Sequence, residues 1–242
     1  MIRLSLPALV FVYAAVFIAG IFIVWVSYEL VRRARIKGYR AIAITDHGDA
    51  SNLDFIIPRV AGICEKLSAV CGIRVIPGIE LTHVPPVHIR ELAVEARKLG
   101  GRLVVVHGET IVEPVAPGTN EAALESPIDI LAHPGLITGR EARLAAAKGI
   151  CLEITTRRGH SLSNGHVALM ARRHGANLVL NTDTHGPRDL TSLEMARTIA
   201  LGAGLGPREV DRMFRNSENL VKKALKDKVV RRRDTKKPFH KD

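Results

Sequence analysis

Six short apolar runs of this 242-residue chain each end on or beside a carboxylate or an imidazole. The runs and their polar residues are AIAITDH with Asp46 and His47, IRVIPGIE with Glu80, LVVVH with His107, IDILAH with His133, CLEI with Glu153, and LVLNTDTH with Asp183 and His185. Such runs are typical of buried strands in a parallel sheet. One polar residue at a strand end often does no more than cap a loop, but six in register predict a functional site at the carboxyl edge of the sheet.

Helical patterns separate these runs. In HIRELAVEARKLGG, for example, Ile89, Leu92 and Ala93 follow the i, i+3, i+4 rhythm of an amphipathic helix, and Gly100 ends it. The alternation predicts an α/β fold of the TIM-like barrel type, folded as one domain. Six strands are visible, and a seventh is expected ahead of Glu29.

The composition narrows the range of partners. A formal net charge of +11 favours acidic partners such as phosphoesters, nucleic acid or an anionic lipid surface. Aromatic residues make up only 4% of the chain, too few for a base-stacking platform, so nucleic acid is possible but not favoured. The last residues, 227–242, are rich in lysine and arginine and predict a basic disordered tail.

The three cysteines indicate a reducing compartment. Cys64, Cys71 and Cys151 form neither a CxxC pair nor a zinc-finger spacing. A disulfide framework and a structural zinc site are therefore not supported, and a cytoplasmic protein is expected.

The beginning of the chain does not fit a barrel. Residues 4–28 carry no charge and are long enough to cross a bilayer as a helix, with Arg3 before them and Arg32, Arg33, Arg35 and Lys37 after them. If this segment is a genuine span, the positive-inside rule places the rest of the protein in the cytoplasm as a membrane-anchored domain. The expected organisation is an apolar segment (1–28), a barrel domain (29–226) and the tail (227–242).

The polar residues at the strand ends predict a metal centre. Mixed imidazole and carboxylate sets bind zinc, manganese or iron, whereas all-oxygen sets favour magnesium or calcium. The predicted metal ligands are His47, Glu80, His107, His133, Asp183 and His185. Sets of this size usually hold two or more ions that clamp a phosphoester, and a metal-activated water then serves as the nucleophile.

Further residues are expected to assist this chemistry. Asp46 and Glu153 are candidate catalytic residues that handle protons or orient a ligand. The candidates for binding the substrate phosphate are Arg157, Arg158, Arg188 and His83, although a solvated loop explains each arginine about as well.

In TDTH, Asp183 and His185 are two residues apart, which on a strand puts both side chains on one face.

The motifs AITDHGD, GIEL, VVVHGE, LAHPG and NTDTH, in this order, resemble those of the PHP superfamily, the polymerase and histidinol phosphatase group of metal-dependent phosphoesterases. The resemblance covers roughly residues 29–225, and it is greatest to stand-alone histidinol-phosphatase-like members. It implies a distorted (β/α)7 barrel, usually with a trinuclear centre of nine ligands. On this basis Glu80 is a bridging ligand, His107 and His133 are central ligands, and Asp183 completes the first ion. His47 and His185 bind a further ion.

The chain departs from the family's pattern at its beginning. The family opens with a His-x-His on its first strand and another histidine in the next loop, but no histidine precedes His47 here. Six of nine ligands are therefore present, and the centre is expected to hold two or three ions, or fewer. One explanation is that a frameshift or wrong start has replaced the first strand by the apolar segment. The other is a membrane-anchored, catalytically weakened relative. The first is favoured, because the family's pattern resumes at Glu29 without a gap.

The predicted function is hydrolysis of a small phosphomonoester. The alternative is a non-catalytic or weakened PHP-like barrel that binds RNA, as in a protein subunit of ribonuclease P. Proofreading, as in PHP domains of DNA polymerases, requires a partner domain that this chain is too short to contain.

Overall fold

A computed structural model describes residues 27–186 and 188–234, and for residues 227–234 it describes the backbone alone. Most of the predicted apolar segment and the end of the predicted tail lie outside these residues. The predicted domain boundary at Lys226 falls within the last helix, which ends at Asp234.

Strands and helices alternate along the described chain. The strands are β1 (Ala41–Ile44), β2 (His47–Gly48), β3 (Arg74–Leu81), β4 (Leu103–His107), β5 (Ile130–Ala132), β6 (Cys151–Thr155) and β7 (Asn177–Asn181). The helices are α1 (27–36), α2 (Leu53–Val70), α3 (Pro86–Leu99), α4 (Thr119–Leu124), α5 (Gly139–Lys148), α6 (Asn164–His174), α7 (Leu193–Gly202) and α8 (Pro207–Asp234). The six predicted strands are confirmed. The two-residue β2 was not predicted, and the expected strand ahead of Glu29 lies outside the described residues.

The described strands form one parallel, curled sheet in the order β1-β3-β4-β5-β6-β7, with β2 beside the end of β3. The result is a TIM-like half-barrel, in agreement with the predicted α/β class. Alternate residues point to opposite faces. In β4, Val104 and Val106 pack into the outer core against the helices, whereas Leu103 and Val105 belong to a separate inner cluster.

Helix α8 covers the amino end of the inner face. Its residues Leu220, Val221 and Ala224 pack against the inner cluster. At the same end, Asn216 Nδ2 donates to the carbonyl oxygen of Leu178, 2.8 Å away, and Lys223 Nζ lies 2.9 Å from Asp129 Oδ1, just ahead of β5. Because α8 fills this end, the carboxyl end of the sheet is the side that is left for a site.

Within residues 27–186 and 188–234, no helix has both the length and the apolar character that crossing a membrane requires. The predicted span at 4–28 lies almost entirely outside that part of the chain.

Glu209, in the first turn of α8, joins this helix to α6. Its carboxylate accepts hydrogen bonds from Arg172 and from the Gly206 amide, each at 2.7 Å, and the Arg172 hydrogen bond is the main reason that its pKa falls to about 2. We expect Glu209→Gln to lower the free energy of unfolding at pH 7 by about 0.5–1 kcal/mol, because solvent screens this exposed pair.

The expected loss depends on pH. Since the pKa of folded Glu209 lies below the ordinary 4.5, its contribution is present above pH 4.5 and is lost as the pH falls towards 2. Denaturant titrations of both proteins at pH 7 and pH 3 measure this change. A loss of equal size at both pH values would contradict the ion pair.

Candidate metal centre

The period of two along each strand aims polar side chains into the open end of the half-barrel. His107 follows Leu103 and Val105 on the inner-facing positions of β4 and ends that strand. Glu80 on β3 and Glu153 on β6 take equivalent inner positions, and His133 comes directly after β5. These four residues are buried. The carboxyl end of the sheet therefore holds a buried cluster of two imidazoles and two carboxylates.

His133 occupies the middle of this cluster. Its Nδ1 lies 2.9 Å from Glu153 Oε2, which also accepts a hydrogen bond from the His133 amide at 3.0 Å. Asn181 Nδ2 donates to the other oxygen of Glu153 at 2.8 Å. Glu153 is thus fully engaged in holding His133, and the ring turns its Nε2 towards Glu80.

Two polar atoms of the cluster are buried without a hydrogen-bond partner: His133 Nε2 and Glu80 Oε1. They lie 3.8 Å apart, too far for a hydrogen bond, on side chains that are only 1% and 9% exposed. A buried polar atom without a partner is costly, so an arrangement of this kind fits a bound cation. An imidazole nitrogen and a carboxylate oxygen are both ligands for zinc, manganese or iron, and the residues therefore fit a metal ion.

A third histidine joins the cluster from a loop. His160 begins the short 3-10 helix His160–Ser163, and its ring stacks on His133 with centroids 4.3 Å apart. One ligand nitrogen from each of His107, His133 and His160 lies within 4.8 Å of the others. Sequence reasoning missed His160 as a ligand because it follows the end of β6 by several residues. His160 directly follows the sequence RRG, and no motif there marks it as a ligand.

Each histidine of the centre is held through its Nδ1 nitrogen. The Nδ1 partners are the Gly108 carbonyl oxygen for His107, Glu153 for His133, the Thr110 hydroxyl for His160 and the Thr82 hydroxyl for His47. Because the Thr82 hydroxyl donates to the Glu80 carbonyl oxygen, it accepts from His47. Holding Nδ1 in this way leaves Nε2 available for a cation, as is usual for metal-binding histidines.

A second group of donors lies beside the first. Asp183 Oδ2 is 3.7 Å from His160 Nε2, and Asp183 Oδ1 is 3.4 Å from His185 Nδ1. His185 Nε2 in turn lies 3.3 Å from His47 Nε2. The reasoning that paired Asp183 and His185 on one strand face was wrong, because β7 ends at Asn181 and Asp183 has a φ of +44°. The loop, not strand alternation, brings them together.

Backbone strain is concentrated at this centre. Among the described residues, the non-glycine residues with positive φ are His83, His133 and Asp183, with values of +55°, +27° and +44°. Such conformations are costly for residues with a Cβ and are commonly found at functional sites. All three belong to the centre or its rim.

The electrostatics of the cluster favour a bound cation. Burial raises the pKa of Glu80 to about 8, and the charges of Glu153 and Asp183 act in the same direction. Burial and the neighbouring His133 lower the pKa of His107 to about 4. Burial would lower the pKa of His133, but the hydrogen bond and charge of Glu153 raise it to about 9. His107 is therefore neutral at pH 7 and able to act as a ligand, while His133 is the charge that lowers the pKa of both Glu80 and Glu153.

The loop after β4 adds a carboxylate that sequence reasoning also missed. Glu113 Oε2 lies 3.7 Å from His160 Nε2 and 3.9 Å from His107 Nε2. His83, predicted to bind substrate, lies at this rim with its Nε2 3.5 Å from Glu113 Oε1, and its ring stacks on His107.

The other predicted residues lie at different distances from the centre. Arg157 reaches it, with Nε 3.8 Å from Asp183 Oδ2 and Nη1 donating to Asp189 at 3.2 Å. Arg158 and Arg188 are exposed, and within the described part of the chain neither forms a hydrogen bond or an ion pair with the cluster. Asp46 is exposed as well; desolvation of its carboxyl raises the pKa of Asp46, and the charge of His47 opposes that shift.

Proteins of similar sequence include one closely related archaeal protein. The uncharacterized protein MJ1295 of Methanocaldococcus jannaschii is 49% identical over 185 residues, which cover 76% of this chain and 85% of MJ1295. A probable phosphatase of Syntrophotalea carbinolica is 27% identical over 203 residues, covering 75% of this chain and 82% of that protein. No protein-family model matches the sequence.

Solved structures with a similar fold include an RNA-associated protein and an enzyme. A chain in the cryo-EM structure of archaeal ribonuclease P with mature tRNA matches with a TM-score of 0.65 and 15% identity, over 81% of this chain and 87% of that chain. Histidinol phosphate phosphatase from Lactococcus lactis, complexed with zinc, L-histidinol and phosphate, matches with a TM-score of 0.53 and 19% identity, over 74% and 88%. At these identities the likeness is one of fold.

Proposed function

Because the chain belongs to the family of MJ1295 from Methanocaldococcus jannaschii and has a PHP-like fold, we propose that it is a metal-dependent phosphoesterase that hydrolyses small phosphomonoesters. The observation that carries this proposal is the pair of buried, unpartnered atoms Glu80 Oε1 and His133 Nε2 inside a histidine cluster. Two buried polar atoms that face each other without a hydrogen bond destabilise a purely structural core, whereas a bound cation would satisfy both.

The residues that would hold metal are Glu80, His107, His133, His160 and Asp183, with His47 and His185 in the adjoining group. Zinc, manganese or iron bound there would supply Lewis acidity and lower the pKa of a water molecule. The number of ions that the chain holds stays a prediction.

The surrounding residues have distinct tasks. Glu153 is a positioning residue, because both of its oxygens are used to hold His133 and the Asn181 amide. Arg157, beside Asp183 at the edge of the centre, would bind the substrate phosphate. Arg158 and Arg188 are exposed on neighbouring loops and remain candidates for the same task. A proton-transfer role for Asp46 also stays a prediction.

Two relatives support hydrolysis of a phosphoester. The Syntrophotalea carbinolica relative is named a probable phosphatase. The Lactococcus lactis enzyme of similar fold was crystallised with zinc, L-histidinol and phosphate. A small phosphorylated metabolite, with histidinol phosphate as the first to test, is therefore the proposed substrate class.

The test is an assay of the purified chain, stripped of metal with a chelator, on p-nitrophenyl phosphate and histidinol phosphate. We expect added manganese or zinc to raise the rate of phosphate release by about a hundredfold or more, since metal ions supply several kcal/mol of transition-state stabilisation. Phosphate release that is the same with chelator as with metal would count against the proposal.

The second candidate function is RNA binding by a barrel that does not turn over substrate. It is favoured by the net charge of +11 and by the fold shared with a chain of archaeal ribonuclease P. It predicts affinity for RNA that falls steeply with salt and no metal-stimulated phosphate release. Titration with RNA at two salt concentrations, on the same preparation, separates the two functions.

A further inference from the structure

Glu113 differs from the other carboxylates of the centre in its place in the fold and in how far its side chain is exposed. The side chains of Glu80 and Asp183 are each 9% exposed, whereas that of Glu113 is 51% exposed. Glu113 lies on the loop between β4 and α4, so it reaches the centre from the solvent side.

The position of Glu113 relative to the histidines is that of a ligand. Its Oε2 lies 3.7 and 3.9 Å from the Nε2 atoms of His160 and His107. These distances are too long for hydrogen bonds. They would leave room for a cation between the carboxylate and the rings, since two bonds of about 2.1 Å span up to about 4.2 Å. With His133, whose Nε2 is buried and unpartnered, the four residues form a set of three imidazoles and one carboxylate.

The loop that carries Glu113 is held firmly at its base. The Glu109 amide donates to Asn120 Oδ1 at 3.0 Å, and the Asn120 amide donates to Glu109 Oε1 at 2.9 Å. Gly135 allows the HPG turn to pass beside this base, since a Cβ at that position would lie 1.8 Å from the Glu109 carbonyl oxygen. One residue further along, the Thr110 hydroxyl contacts His160 Nδ1 at 2.8 Å. The start of the loop is therefore fixed to the centre itself.

The tip of the loop is exposed instead. Ile111 and Val112, which precede Glu113, are 51% and 46% exposed. A fixed base and an exposed tip let the Glu113 carboxylate leave the histidines without disturbing the buried donors.

We propose that Glu113 is a displaceable cation ligand. When substrate is absent it would add a solvent-side donor to the site of Glu80, His107, His133 and His160, and it would yield its place to the phosphate of the substrate. The incoming phosphate carries anionic oxygens and approaches from the solvent side, where Glu113 stands. The phosphate would bring an anionic oxygen to the position that the Glu113 carboxylate leaves, so the charge beside the histidines would remain compensated. This inference rests on the proposed metal-dependent function.

The first measurement is calorimetric titration of the metal-stripped full chain with zinc or manganese. We expect Glu113→Gln to weaken cation binding by about tenfold or more. Removing a residue that only supports a metal ligand already costs about tenfold in affinity, and Glu113 is proposed to be a ligand itself. The matched control is Glu121→Gln, which removes one negative charge from an exposed carboxylate of α4 that pairs with Arg140 outside the cluster. Its affinity should stay within about twofold of the wild type. Equal cation affinity in the wild type and Glu113→Gln would overturn the ligand role.

The second measurement titrates inorganic phosphate into wild type and Glu113→Gln at saturating metal. Removing a competing carboxylate should let the variant bind phosphate at least as tightly as the wild type. Weaker phosphate binding by the variant would overturn displacement. A wild type that binds cations but releases no phosphate from any ester would refute the proposed function and leave the ligand role standing. A wild type that binds no cation would refute both.

Discussion

Replacing His133 by alanine is expected to remove nearly all metal-stimulated phosphate release. The ring contributes a buried Nε2 that faces Glu80, and it contacts the rings of both His107 and His160, with centroids 4.4 and 4.3 Å away. We expect the rate to fall by about a thousandfold, which corresponds to about 4 kcal/mol of lost transition-state stabilisation. The assay with p-nitrophenyl phosphate measures the rate, and elemental analysis of the purified variant should show fewer bound ions per chain.

A loss of activity alone would not separate a ligand from a structural residue. His133→Ala also leaves a buried carboxylate of Glu153 without its ring partner, so the fold of the variant is checked by circular dichroism and thermal unfolding. The control is His174→Ala, at the end of α6, whose ring lies beside Arg143 and outside the cluster. A folded His133→Ala variant with wild-type metal content and activity would contradict the assignment of the centre.

Replacing Glu80 by glutamine is expected to change stability in opposite directions with and without metal. In the metal-free protein, burial holds the pKa of this carboxyl at about 8, above the ordinary 4.5. The contribution of Glu80 to stability is thus complete below pH 4.5 and is lost as the pH rises through 8. Glutamine does not ionise, so the metal-free variant should become more stable than the wild type as the pH approaches 8.

Bound metal should instead make the wild type more stable than Glu80→Gln. A ligand present at about a hundred times its dissociation constant stabilises the folded state by about 2.7 kcal/mol, equivalent to a rise in Tm of about 5–10 °C for a chain of this size. We expect this rise in the wild type and less than half of it in Glu80→Gln. Thermal unfolding with chelator and with manganese measures both effects. The control is Glu95→Gln, an exposed residue of α3 paired with Lys98. An equal rise in all three proteins would show that Glu80 does not hold the cation.

Sequence reasoning expected polar residues at the ends of parallel strands to meet at one edge of the sheet. This expectation agrees with the structure where the strand itself sets the direction of the side chain. Glu80, His107 and Glu153 lie on inner-facing positions of their strands, and parallel strands bring these positions to one edge. Periodicity and burial are visible in the apolar runs, so the meeting of these residues could be predicted from the sequence.

The same reasoning missed residues whose side-chain direction is set by a loop. His160 and Glu113 reach the centre from loops after β6 and β4, and nothing in their spacing from the strands marks them as donors. Arg158 follows a strand end as Arg157 does, yet Arg157 contacts Asp183 and Arg158 is exposed. Adjacent loop residues point in different directions because each loop has its own backbone path.

The sequence by itself therefore determined the α/β class, the six strands and the buried set of histidines and carboxylates at their ends, because the hydrophobic period and the chemistry of the side chains are local properties. Only the tertiary structure decided which donors complete that set. The placement of His160, Glu113 and the strained Asp183 depends on contacts between loops that are far apart in the chain, and residue spacing carries no record of those contacts.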